Sequence, residues 1–459
     1  MFKRARSWWV RVVAVCGALA VGLLVAGAPA SGARANGAPV EREHTVRQPY
    51  DFENWACGYP LQVSGMLTHV FTLRQDPRLE GELMFMDQYA FSETYTNEAG
   101  AFVTATGRGV SKNVPARRVG ESTWTFTFLQ AGQPFTIRDS SGRVVSRDSG
   151  VLRFEATVDV ATGEEVGFEL TVSGPHPLFD QDTCKVVAPL LGTDSADHQT
   201  ARPLGSTDAA MGYYEYLPPS YSPDGDSSPL LVVTNGYGEN GDGSAEQLSN
   251  LLFTGVPRFI EVGGWPTDRP LVVLSTQHVE DPPGFDFSPC DGVDPWGGSC
   301  AMQLQHDRGH ASPAFCTTPD EIHDFIAYAV AHYNVDPSRV YLTGLSCGGF
   351  GAWEYLAAYG DSQVAAAVPI AADGRYAWAT VGCGLGDVPL WAFHGGLDDT
   401  INPLGSTETM ENVQACPGVD PDAARLTVYP DLFHDGWDQA YSGSRGDDIY
   451  SWMLGYTNP

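Results

Sequence analysis

Lysine is almost missing from this chain of 459 residues. Only three occur, and with arginine the cations number 26 against 56 Asp and Glu. The formal charge of −30 excludes a surface built to exchange counterions with DNA or RNA. It equally disfavours docking on anionic lipid. Beyond the first thirty residues no apolar run is long enough to span a bilayer. No Cys-x-x-Cys pair and no His/Cys cluster has metal-ligand spacing, so no metal is expected. What is plentiful points elsewhere: 43% hydrophobic and 11% aromatic residues are the composition of a folded protein. The length predicts more than one domain.

The N-terminus reads as a targeting segment. Lys3, Arg4, Arg6 and Arg11 form a basic region, Val12 to Gly27 is apolar, and Ala28-Pro29-Ala30 is a small-residue cleavage site. Ala33-Arg34-Ala35 competes with it. The apolar run, ~16 residues, is short for a membrane anchor, and Val15 before Cys16 argues against lipidation. Residues 1–30 are therefore expected to be a cleaved signal peptide, and the mature protein to be secreted and soluble. Losing the four cations of this segment takes the charge from −30 to −34. Export gives meaning to the eight remaining cysteines, an even number that suggests disulfides among 105 formal pairings. Cys57 and Cys184 bracket the first half, and Cys290 and Cys300 share one loop.

Two periods divide the rest. Residues 45–191 alternate apolar with polar and break at turns, as in Leu67 to Leu73 and Thr123 to Phe128, with a hairpin over Leu152–Val160 and Glu165–Val172. This predicts an all-β, sandwich-like accessory domain. Tyr89, Phe91, Tyr95 and Trp124 are either a polymer-binding platform or cross-strand pairs. A linker rich in Ser, Thr, Asp and Gly is expected over 192–210. Residues 211–459 alternate apolar β-branched runs with helical ones: Leu230–Val233, Leu271–Leu274, Val340–Leu342, Val364–Ile370 and Val388–Phe393. Such runs suit a parallel sheet buried on both faces, giving a doubly wound α/β domain. One helix has a clear start, with Thr318 as N-cap, Pro319 in the first turn and Glu321 closing a capping box.

The chemistry sits at strand ends. Gly344-Leu345-Ser346-Cys347-Gly348 is a G-x-S-x-G pattern between a strand and a helix, where a tight turn exposes a serine hydroxyl. A serine needs a base, and in this context the chain order is serine, acid, histidine. Asp398 follows the strand ending at Phe393, and His434 follows the strand ending at Tyr429. The expected triad is Ser346, Asp398 and His434. Asp399 competes as the acid, and Asp435 has an alternative use as a helix N-cap. His394 is read as orienting the acid loop, and His306 and His310 as solvated loop residues. The Gly-rich loop Asn235 to Gly241 can aim a backbone N–H at a developing oxyanion, so the amides of Tyr237 and Cys347 are the expected donors. A phosphate loop is disfavoured because no Walker Lys-Ser/Thr follows.

Together the loop Asn235–Gly241, Gly263–Pro266, Asp336–Ser346, Trp391–Gly395 and His434–Trp437 resemble the secreted α/β-hydrolase esterases related to polyhydroxybutyrate depolymerases and feruloyl or acetylxylan esterases. The likeness covers about residues 211–455. It implies an α/β-hydrolase fold, a serine esterase without cofactor, and plant polysaccharide esters or polyester-like substrates as partners. Asn235 departs from the family's usual His, and Cys347 from a small residue or Met. A Cys347–Cys383 disulfide pinning the serine turn is a further expectation. The Gly- and Pro-rich stretch 282–315, with Trp296, is either a specificity lid or a disulfide-pinned loop. Two other readings stay open. One is a peptidase of prolyl-oligopeptidase type; the other is a polymer-binding protein with a degenerate hydrolase body.

Overall fold

The computed structural model describes residues 41–75, 83–159, 164–178, 181–192, 199–279, 316–398 and 400–458. The signal segment, the 282–315 stretch with Cys290, Trp296, Cys300, His306 and His310, and Asp399 all lie outside the described residues. The chain divides into two compact units. The first runs to Asp194 without Trp55–Tyr59, and the second takes Trp55–Tyr59 and everything from Ser195.

In the first unit seven strands follow one another: β1 (Glu41–Asn54), β2 (Leu61–Gln75), β3 (Leu83–Thr96), β4 (Phe102–Arg118), β5 (Thr123–Arg138), β6 (Val144–Asp159) and β7 (Glu164–Ser173). They pair in sequence order as one antiparallel sheet. Among the described residues the unit is thus a single meander, where a two-sheet sandwich was expected. Strand alternation divides the sheet into two faces. Val63, Val103, Ala105, Ile137, Leu152 and Phe154 are buried on one face. Across it runs an aromatic row, with ring centroids 6.2 Å apart for Phe71–Phe85, 5.8 Å for Phe85–Phe128 and 5.5 Å for Phe128–Phe154. Tyr89, Phe91, Tyr95 and Trp124 share the parity of that row. Tyr89 stacks on Phe91 along β3, and Phe91 meets Phe135 of β5 across the sheet. A short helix, α1 (Thr183–Val187), follows the sheet and carries Cys184.

The second unit holds an eight-stranded sheet in the order β15-β14-β13-β12-β10-β11-β9-β8. Its strands are β8 (Thr200–Arg202), β9 (Gly212–Tyr216), β10 (Ser228–Thr234), β11 (Val272–Gln277), β12 (Val335–Leu345), β13 (Ala366–Ile370), β14 (Leu390–Gly395) and β15 (Ala424–Tyr429). From β11 to β15 all pairings are parallel, while β9 runs antiparallel to β11 and β8 antiparallel to β9. The expected linker over 192–210 is therefore partly sheet: Thr200–Arg202 is its outer strand. Backbone pairing decides this, whatever the Ser/Thr-rich composition suggests.

Every residue of β10 and β11 is buried, and alternate side chains enter different cores. Leu230 and Val232 pack with Ile322, Phe325 and Trp353. Leu231 and Val233 pack with Val256, Phe259, Ile260 and Tyr441. Helices thus cover both faces, which is why the strands can be apolar throughout. These helices are α2 (Gly255–Glu261), α3 (Pro319–His332), α4 (Cys347–Tyr359), α5 (Arg375–Val381), α6 (Leu404–Gln414), α7 (Trp437–Ser442) and α8 (Ile449–Leu454). The capping box forms at α3: Thr318 accepts from the Glu321 amide, and the Glu321 side chain accepts from the Thr318 amide. No helix among the described residues is long and apolar enough to cross a membrane.

Among the described residues two disulfides join cysteines within the α/β sequence from Ser195 onward. Cys347, at the start of α4, bonds to Cys316 with Cα atoms 4.8 Å apart, and Cys383 bonds to Cys416. This corrects the expected Cys347–Cys383 pair. The first turns of α4 press on the segment leading into α3, where Gly351 leaves just enough room for the Thr317 carbonyl, so Cys316 is the neighbour of Cys347. Cys57 and Cys184 are each disulfide-bonded as well.

Candidate active site

Parallel strands place their C-terminal ends on one side, so the loops after β10, β12, β14 and β15 converge there. The turn after β12 has a strained backbone. Ser346 has φ 51° and ψ −115°, a conformation that costs a non-glycine residue about 1–3 kcal/mol. The flanking glycines are needed for close approach. A Cβ on Gly344 would strike Thr234 Oγ1 and one on Gly348 the Thr234 carbonyl. Thr234 fastens the turn instead, donating to the Gly348 carbonyl at 2.9 Å. The Ser346 amide donates to the Ile370 carbonyl at 2.9 Å, and the Ser346 carbonyl receives the Phe350 amide at 3.0 Å.

His434 lies between the serine and the acid. Its Nδ1 is 2.7 Å from Asp398 Oδ2 and its Nε2 is 2.9 Å from Ser346 Oγ. A carboxylate only accepts, so Nδ1 carries the proton and Nε2 is left to receive the serine's. The Asp398 side chain is wholly buried, whereas His434 is 19% exposed. Burial by itself would push the Asp398 carboxyl up. The hydrogen bonds from His394, His434 and the Ile401 amide outweigh it and hold the carboxyl well below the usual carboxylate range. Trp437 packs its ring edge-on against His434, centroids 5.2 Å apart, and donates to Thr254 Oγ1 at 2.7 Å.

The loop after β10 is held by its first residue. Asn235 donates to the Gly236 carbonyl and to Asn240 Oδ1, both at 2.8 Å, and accepts the His278 amide at 2.8 Å. Gln277, fully buried, donates to the Glu239 carbonyl at 2.9 Å. Tyr237 packs on the Cys316–Cys347 pair, so the two residues expected to present oxyanion donors are neighbours. Asp435 does not cap α7; Gly436 occupies that position, without a side-chain bond.

Sequence reasoning placed His394 on the acid loop, where it lies 3.1 Å from Asp398 Oδ2, but missed the Cys316–Cys347 bond and the tie from Thr234 to the serine turn. Only the last had a signal, in the paired glycines. No group of His, Cys, Asp and Glu among the described residues could hold a metal ion.

No family profile and no curated protein matches this chain. Similar solved structures include a thermostable esterase at 17% identity, covering 85% of this chain and 95% of that one, with TM-score 0.39. Another is a mutant of the feruloyl esterase module from Clostridium thermocellum complexed with sinapinate, at 15% identity, 56% and 86% coverage and TM-score 0.34. A third is dipeptidyl peptidase 4 from Porphyromonas gingivalis, at 11% identity, 85% and 73% coverage and TM-score 0.35. Likeness at this level carries no functional argument. What the site can do rests on the chain's own residues.

Proposed function

We propose that this protein is a secreted α/β-hydrolase serine esterase that cleaves carboxylic esters through an acyl-enzyme. The observation that carries the reading is the Ser346–His434–Asp398 chain, with contacts of 2.9 and 2.7 Å, on a strained strand-to-helix turn. In this reading Ser346 Oγ attacks the ester carbonyl carbon while His434 Nε2 takes its proton. Asp398 holds the imidazolium. The backbone N–H groups of Tyr237 and Cys347 receive the tetrahedral oxyanion. The C–O bond to the alcohol then breaks as Nε2 returns the proton to the departing oxygen. Water, deprotonated by the same nitrogen, attacks the acyl-enzyme, releases the acid and regenerates Ser346.

The disulfides Cys316–Cys347 and Cys383–Cys416 fit an oxidising compartment, in keeping with the signal-like N-terminus. A surface of this acidity favours neutral or cationic esters over anionic ones. The first unit is one meander rather than the repeated blades of a propeller, so nothing in it favours the peptidase reading.

The test is hydrolysis of short p-nitrophenyl esters, feruloyl and acetyl sugars, peptides and polyester film by wild type and Ser346→Ala. Ester turnover in the wild type, reduced at least about 10³-fold in the variant, is the expected result. Full turnover by Ser346→Ala, or cleavage of peptides alone, would sink the proposal.

A further inference from the structure

The acid of the proposed triad has a second histidine on it. His394 is the last residue but one of β14, and its side chain, like that of Asp398, is 0% exposed. Its Nε2 lies 3.1 Å from Asp398 Oδ2 and 3.1 Å from the Ile401 carbonyl. Both partners only accept, so Nε2 carries a proton and donates it. Nδ1 sits 2.8 Å from Ser406 Oγ, which reaches the Ala372 carbonyl at 2.9 Å. The ring is therefore held at both nitrogens. On Asp398 itself, Oδ1 takes the amides of Thr400 and Ile401, each at 2.9 Å. That leaves Oδ2 shared by two imidazoles.

We propose that His394 is a positioning residue of the reaction. It fixes the Asp398 carboxylate and, by sharing Oδ2, limits how strongly that carboxylate holds the protonated form of His434. The proposal rests on the Ser346–His434–Asp398 reading above. A buried donor with no catalytic consequence would only need to satisfy the strand end, and the Ile401 carbonyl alone would do that. The second contact, on the same oxygen that faces His434, is what couples His394 to the chemistry.

Other charged groups near this end are engaged elsewhere. On the α5 and α6 side Arg375 is paired with Asp373 and, at 3.9 Å, with Glu408. On β15, Tyr429 donates to Asp447 at 3.0 Å. Among the described residues Asp398 is the charged group that bonds to His394.

Removing the shared donor leaves more of the carboxylate's charge for His434. The imidazolium is then stabilised, and the acid limb of the rate moves to higher pH. Side-chain length gives the decisive comparison. A glutamine at 394 can present its amide N–H near the Nε2 position and reach Asp398, while an asparagine reaches only the Ser406 side.

The experiment measures the pH dependence of Ser346 labelling by a fluorophosphonate, alongside ester kcat and thermal melts. His394→Asn is expected to label roughly 10- to 100-fold more slowly at neutral pH, since a displaced acid misplaces the base. Its acid limb should shift upward by about half a unit or more. His394→Gln should recover most of the rate and the limb. His394→Ala is included, but the Asn and Gln pair carries the test if Ala fails to fold. Wild-type rate and limb in His394→Asn, or no advantage of Gln over Asn, would overturn the role of His394. Fluorophosphonate labelling of the protein together with ester turnover, both undiminished in Ser346→Ala, would instead overturn the triad reading beneath it.

Discussion

Two of the histidine–carboxylate pairs at strand ends of the α/β sheet, those of His434 and His278, differ in where the second ring nitrogen goes. His434 follows β15 and pairs with Asp398, and its Nε2 reaches Ser346 Oγ at 2.9 Å. His278 follows β11, and its Nδ1 lies 3.1 and 3.2 Å from the two oxygens of Glu321. Among the described residues its buried Nε2 has no hydrogen-bond partner. A carboxylate behind an imidazole therefore does not make a base; a hydroxyl in front of it does. His278 acts through its backbone. Its amide holds Asn235, its carbonyl accepts from Gly241 at 3.2 Å, and Glu321 caps α3. The second pair thus ties the loop after β10 to the start of α3, close in sequence to the Cys316–Cys347 bond.

The largest effect should come from breaking the first pair. His434→Ala removes the base, and ester kcat/KM is expected to fall by about 10³- to 10⁶-fold. Asp398→Asn keeps the shape but disfavours the tautomer with Nε2 free. A loss on the order of 10³- to 10⁴-fold should follow, mainly in kcat. Breaking the second pair should look different. His278→Ala leaves serine and base in place but leaves Glu321 with Thr318 alone as its partner, at a cost of about 1 kcal/mol in unfolding free energy. The loosened loop should lower kcat by only roughly 10-fold. Urea melts with parallel kinetics read both. A kinetic loss equal to that of His434→Ala would erase the distinction between the pairs.

The distinction was half legible beforehand. Gly344 and Gly348 nominated Ser346 because only glycine fits against Thr234, and chain order nominated Asp398 and His434. His394 and His278 look alike in sequence, each at the end of an apolar strand, since the folded-back loops that choose their partners leave no periodic trace. The same limit applies elsewhere. Alternation marks the strands of the first unit and gives one buried face, yet it does not say whether a second sheet covers that face. Sequential hairpin pairing settled on a single meander. Cysteines 31 and 33 residues apart pair because α4 lies against the segment before α3 and α5 is followed by a turn facing Cys416. Spacing alone carries neither fact.

The smallest effect concerns acid. Burial would raise the Glu321 carboxyl, but the hydrogen bond and charge of His278, with the bonds from Thr318, hold it below its ordinary value. A carboxyl lowered in the folded state adds stability above its unfolded value, near about 4.3, and that contribution is lost as pH falls through the folded value. Asp398 is lowered in the same direction. Stability of the α/β unit should therefore decline on acidification below about pH 4. Glu321→Gln removes one of the titrations responsible. Its deficit against wild type, read from urea unfolding at neutral pH and again in acid, should shrink as the wild-type carboxyl takes up its proton. Asp398→Asn should narrow its own gap only at lower pH, because that carboxyl is held down by two imidazoles instead of one. A Glu321→Gln deficit that stays constant with pH would mean the second pair holds its loop by shape and neutral hydrogen bonding, with no ionic share.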